Sequence, residues 1–251
     1  MNPFFFGRSE RPLFGAYSPG RGGVEPRRSV LLCYPVGSEY MRAHRAFRQL
    51  NTLLNRAGAN VLRFDYSCTG DSGGAGDEAT VEEWMEDIDW AVDELMDNAL
   101  SDSISVLGLR WGATLAALAT QDRDEVDHLV LWDPIVSGEE YLASVLDEPG
   151  APGLLGVEGF PYSEALRDGM RPIDLRERPK AFEGRRTTLL VAEDREDYRE
   201  VVEAARRHGV TVGHQHVPSP ADWSRADPFG DALIPQEIIQ TAVAILQGEV
   251  S

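Results

Sequence analysis

Cysteine is nearly absent: the chain of 251 residues has two, Cys33 and Cys68. Two thiols make no disulfide framework, so a reducing compartment is expected. No apolar run approaches the roughly 20 residues of a membrane-spanning helix. The first residues, MNPFFFGRSERPLFG, lack the basic start and long apolar core of a secretory leader, and a cytoplasmic location is the expectation. Positive charge is scarce as well: 24 Lys and Arg stand against 42 Asp and Glu, a net charge of −18. Phosphate backbones and anionic lipids repel such a surface, so neither nucleic acid nor a membrane is the expected partner. Repeats and low-complexity segments are missing too. What is present, 42% hydrophobic and 26% charged residues, is ordinary for a globular chain. The length suits one α/β domain over residues 1–251.

Strand and helix patterns alternate. Residues 4–6 and 13–17 read as an N-terminal hairpin, turning at Gly7-Arg8-Ser9-Glu10. Residues 29–34 (SVLLCY) are continuously apolar, as in a strand covered on both faces. A helix is expected over 40–57, with Ala46, Phe47, Leu50, Leu53, Leu54 and Ala57 in helical period and Gly58 closing it. Residues 60–64 are a strand, and 67–76 a glycine-rich loop. Thr80 and Glu83 form a capping box for a long helix with an acidic, solvated outer face. Strands follow at 104–107, 128–132, 187–192 and 210–217, with helices at 197–208 and 234–246. Residues 137–182 are irregular, with short helical pieces at 139–146 and 163–168, and are the expected place of a lid. The pattern specifies a doubly wound, mostly parallel sheet with ligands at the carboxyl ends of its strands.

The most informative stretch is ISVLGLRWGATLAALAT, residues 104–120. An apolar strand meets a glycine-framed turn, Gly108-Leu109-Arg110-Trp111-Gly112, and then an Ala/Leu helix. This is the spacing of the G-x-S-x-G nucleophile elbow with Arg110 in the serine's place. The flanking glycines let two backbone segments pass closely, and the central side chain projects above a helix N-terminus. An arginine there cannot attack a carbonyl, because its guanidinium stays protonated. It can hold a carboxylate or phosphate. Alternatively it pairs with a neighbouring acid and closes the pocket.

YPVGSEYMRAHRAFRQLNTLLNRAGANVLRFDYSCTGDSGG, VLGLRWGATLAALA and LVLWDPIVSGEEYL together resemble the α/β-hydrolase superfamily. Within it they resemble the serine-aminopeptidase-like branch, which includes exosortase-associated hydrolases. The resemblance implies an α/β-hydrolase fold and, in an active member, hydrolysis of esters, thioesters or amides, or acyl transfer. It implies an oxyanion hole from the Trp111 N–H and from Val36 or Gly37, with Ser38 and Glu39 beside it. The acid position falls on Asp194, with Asp133 as the usual relocation. The histidine position falls in 218–235, PSPADWSRADPFGDALIP, which contains none. Without serine and histidine a Ser-His-Asp mechanism has neither nucleophile nor proton carrier.

Substitutes are few. Ser72 in GDSGG satisfies G-x-S-x-G as a string, but no helix opens after it. Cys33 reads as a core thiol, and Cys68 lies on a loop with no histidine placed beside it. His128 and His208 fall at the far ends of their elements. His214 and His216 share one strand face without a visible third ligand, so no metal and no cofactor are expected. His44 and His216 are the histidines that could approach the site.

Three readings follow. The first is a protein without the triad that binds an anionic or acyl small molecule at Arg110. The second is an enzyme using Arg110, the oxyanion amides and a relocated base from Glu39, His44, Asp133 or His216. The third is a non-catalytic interaction partner of another protein.

Overall fold

The computed structural model describes residues 1–21, 28–146, 160–219, 223 and 234–249. Eight strands form one sheet: β1 (Asn2–Arg8), β2 (Arg11–Ser18), β3 (Ser29–Cys33), β4 (Asn60–Phe64), β5 (Ile104–Leu109), β6 (Val126–Trp132), β7 (Arg186–Val191) and β8 (Val212–His216). Their order is β1-β2-β4-β3-β5-β6-β7-β8. The hairpin β1–β2 is antiparallel, and β2 joins β4 antiparallel. Every pairing from β4 through β8 is parallel. Strands β3, β4 and β5 are buried along their whole length, the consequence of helices on both faces.

The helices are α1 (Ser38–Arg56), α2 (Val81–Ala99), α3 (Trp111–Ala119), α4 (Gly138–Leu146), α5 (Glu164–Met170), α6 (Glu196–Arg207) and α7 (Gln236–Gln247). Thr80 caps α2, its hydroxyl accepting the Glu83 N–H at 3.2 Å. No helix among the described residues is long and apolar enough to cross a membrane.

The hairpin departs from expectation. Arg8 pairs with Arg11, so only Ser9 and Glu10 turn. Gly7, expected in the turn, keeps its positive φ of 77° inside β1, opposite Pro12. Helix α1 starts at Ser38 rather than Tyr40, and β8 starts at Val212 rather than Val210. The outer face of α2 is not purely solvated: Asp89 and Asp93 both pair with Arg123. Of the expected lid, residues 147–159 lie outside the described set. The rest holds α4 and α5; its two ends are joined by the bridge Ser137–Asp174 and by the Gly138 N–H on Ile173 O at 2.8 Å, and the Leu175 N–H donates to Val136 O, outside the segment, at 2.9 Å.

Candidate functional site

The turn between β5 and α3 holds its central residue in a costly conformation. Arg110 has φ 54° and ψ −123°, a region that L-residues rarely adopt. The backbone around it fixes that geometry. The Arg110 N–H donates to Trp132 O at 3.0 Å, and Arg110 O accepts from the Ala113 and Thr114 N–H groups at 3.0 and 3.2 Å. The glycines are required by close approach. A Cβ on Gly112 would lie 2.1 Å from Tyr34 O, and one on Gly108 would lie 2.4 Å from Gly112 O. Helix α3 thus starts against the end of β3, and its first N–H groups, Trp111 among them, have no intrahelical acceptor.

Arg110 meets Glu39, the acid in the first turn of α1. Nε donates to Oε1 at 3.1 Å and Oε2 at 3.3 Å, and Nη2 donates to Oε1 at 3.0 Å. Glu39 is 3% exposed. Burial by itself would lower the Arg110 pKa; the adjoining Glu39 carboxylate more than reverses this and holds the guanidinium charged. The third guanidinium nitrogen, Nη1, makes no hydrogen bond to the described residues.

Two phenols cover this pair. Tyr141 on α4 and Tyr162 before α5 share a hydroxyl–hydroxyl bond of 2.9 Å, and both are buried. Burial, then the Glu39 charge, pushes the Tyr141 phenol well above its ordinary range, so it stays a neutral hydroxyl. The Trp111 ring meets Tyr141 edge-on at 5.5 Å. Tyr162 also explains Gly37: with φ 65°, a Cβ there would lie 2.6 Å from the Tyr162 hydroxyl.

Asp133, after β6, is also buried and has φ 43°. Its Oδ1 accepts the Ala192 N–H at 2.7 Å. Burial raises its pKa, opposed by that N–H and by the nearby Arg110 charge. The turn, Glu39, the two phenols and Asp133 therefore form one buried polar cluster. Beside it, a cavity of about 340 Å³ is lined by Val36, Gly37, Ser38, Met41, Cys68 and Phe160, among others, and not by Arg110 or Glu39.

Other expected residues lie elsewhere. Asp194 is on the surface, where Arg199 donates to it from Nε at 3.2 Å and Nη2 at 2.8 Å. The His214 imidazole lies 3.8 Å from its Oδ1, so this carboxylate faces the β8 edge. His216 is the exposed last residue of β8. His44 sits in the second turn of α1, one turn later than expected, and lines a different cavity with Arg63 and Asp65. Ser72 is tied into its loop, donating to Asp65 O at 2.6 Å and accepting the Phe14 N–H at 2.8 Å. Burial pushes the Cys68 thiol up and the Cys33 thiol up to about 12, which disfavours the nucleophilic thiolate at both. Among the described residues, no group of three His, Cys, Asp or Glu could hold a metal. Most of 218–235 lies outside the described residues.

Sequence reasoning missed Tyr141 and Tyr162. Both fall in the irregular 137–182 stretch, and only tertiary packing brings their hydroxyls together.

Residues 25–155 match the family model of serine aminopeptidase, S33. No curated protein sequence matches the chain. Solved structures of similar fold include Est1E from Butyrivibrio proteoclasticus with bound ferulic acid, 14% identical, TM-score 0.73, covering 98% of this chain and 97% of that one. A proline iminopeptidase from Mycobacterium smegmatis is 10% identical, TM-score 0.66, with 98% of each chain covered. The bottromycin epimerase BotH in complex with bottromycin A2 is 18% identical, TM-score 0.62, covering 98% of this chain and 100% of that one. At these identities the likeness is one of fold: an α/β-hydrolase sheet with its helices.

Proposed function

The chain belongs to the serine aminopeptidase S33 family of α/β hydrolases, and on that premise we propose that it binds the acyl group of a small molecule at Arg110 without attacking it. The observation that carries this reading is the bidentate Arg110–Glu39 pair in the strained turn. A guanidinium offers no nucleophilic lone pair. Its charge is already met by Glu39, so a second carboxylate would be repelled by both Glu39 and Asp133. A neutral carbonyl escapes that repulsion. Nη1 and the Trp111 N–H are donors of the right kind for an acyl oxygen. The apolar cavity beside Gly37 and Ser38 is large enough for the apolar part of such a ligand. The segments carrying α4 and α5, which contribute Tyr141 and Tyr162, act as the cap of this site.

The test uses phenyl butyrate. Saturation-transfer NMR is expected to detect its binding to the wild-type chain and not to an Arg110→Met/Glu39→Met variant, with phenol release no faster than in buffer. Binding that survives in the double variant would overturn the reading.

One observation favours a second reading. Asp133 is a buried carboxylate held beside Arg110 in a strained conformation. Such a group is a candidate base for proton transfer next to a bound carbonyl. Under this reading the wild-type chain turns over short acyl esters or thioesters, and Asp133→Asn does not.

A further inference from the structure

A second cavity, of about 290 Å³, lies under the N-terminal hairpin, and neither Arg110 nor Glu39 lines it. Its wall is built regularly. Tyr40, His44 and Arg48 follow one another at i, i+4 and i+8 along α1, and Arg63 faces them from β4.

Arg63 is the unusual member. It is 7% exposed. Nη1 donates to the Tyr34 hydroxyl at 2.7 Å, and Nη2 to Met1 Sδ at 3.1 Å, a weak acceptor. Nε is buried with no partner. Among the described residues no carboxylate lies within ion-pair distance of Arg63. Asp65 shares the wall, but its oxygens are taken, Oδ1 by the Tyr40 hydroxyl at 2.7 Å and Oδ2 by the Asp71 N–H at 3.0 Å. Asp71 is exposed, where solvent screens it. A buried guanidinium met only by a phenol and a thioether is a charge without its counter-ion, an expensive arrangement.

We propose that this cavity is a second binding site, for a small molecule carrying one carboxylate on an aromatic body. The carboxylate meets Arg63, with Arg48 adding a second positive charge from α1. A planar carboxylate matches the guanidinium fork. A single negative charge suits a wall that also holds Asp65, whereas a doubly charged phosphate does not. The body is aromatic because four rings, Phe14, Tyr34, Tyr40 and Phe64, dominate the uncharged wall, with Met1, Pro3 and Ala16 completing it.

The test is calorimetric titration of the full chain with sodium benzoate. A Kd of about 1 mM or tighter is expected, weakened about tenfold or more by Arg63→Met. Arg48→Gln, at an exposed position, is expected to weaken binding several-fold, and inorganic phosphate is expected not to compete. No binding at about 10 mM benzoate, wild-type affinity in both variants, or displacement by phosphate would each overturn the proposal. So would loss of binding only in the Arg110→Met/Glu39→Met variant, which would assign benzoate to the other site.

Discussion

Arg110 and Glu39, 71 residues apart in sequence, join through Nε and Nη2 into an ion pair at the start of two helices, with Glu39 buried and Arg110 partly so. The pair fixes α1 against the β5–α3 turn. Its energetic signature is asymmetric. Removing one partner strands a buried charge, while removing both leaves an apolar contact of similar volume.

Arg110→Met alone is therefore expected to destabilise the protein by about 3–5 kcal/mol. The Arg110→Met/Glu39→Met double variant is expected to recover most of that loss. Urea unfolding of the wild type, both single variants and the double variant forms the cycle that measures it. Additive losses would mean that the two side chains do not interact.

Gly112→Ala tests the close approach behind the glycine frame. The new Cβ would meet Tyr34 O at 2.1 Å, a backbone atom that cannot swing aside. A loss of at least about 2 kcal/mol is expected in the same unfolding assay. Gly184→Ala is the contrast for space: its Cβ would meet nothing within 4 Å, so it carries only the strain of φ 73°.

Ser72→Ala separates a structural serine from a catalytic one. The variant loses two hydrogen bonds, to Asp65 O and from the Phe14 N–H. About 1–3 kcal/mol of stability should be lost through the stranded Phe14 N–H. Binding of phenyl butyrate should not change.

Asp87 sets a pH dependence. It accepts the Ser67 N–H at 2.7 Å, and burial raises its pKa from 3.8 to about 6. A raised folded-state pKa gives stability that is complete below pH 3.8 and lost as pH rises through about 6. The displacement corresponds to roughly 3 kcal/mol. Asp87→Asn is expected to gain stability relative to the wild type as pH rises from 4 to 7. The difference between the two melting curves isolates this from His128, whose pKa is lowered to about 4 by burial and whose contribution has the opposite slope. A difference independent of pH would refute the assignment.

The sheet was legible because its central strands are buried on both faces and so read as unbroken apolar runs, SVLLC and ISVLGL among them. The turn was legible because only glycine permits the approaches at positions 108 and 112. The start of α1 was hidden: Gly37 caps it with no side-chain hydrogen bond, leaving no Ser, Thr, Asp or Asn signal. Gly7 misled for a related reason, since positive φ marks a turn in sequence but here lies within a paired strand. At the site, the sequence offers both Arg110 and Glu39 as candidates, and pairing with some neighbouring acid is one of two roles it leaves open to Arg110. The choice of Glu39 follows from the distance between α1 and the turn, which no local pattern encodes. The Tyr141–Tyr162 bond and the counter-ion-free Arg63 are tertiary facts of the same kind.

The central claim is that a cation, held by Glu39, stands where an attacking hydroxyl would be needed. Intact-protein mass spectrometry after treatment with a fluorophosphonate, which adds covalently to activated serines, tests it most directly. The account predicts an unchanged mass for the folded wild-type chain. A stoichiometric phosphonyl adduct on any serine would contradict it.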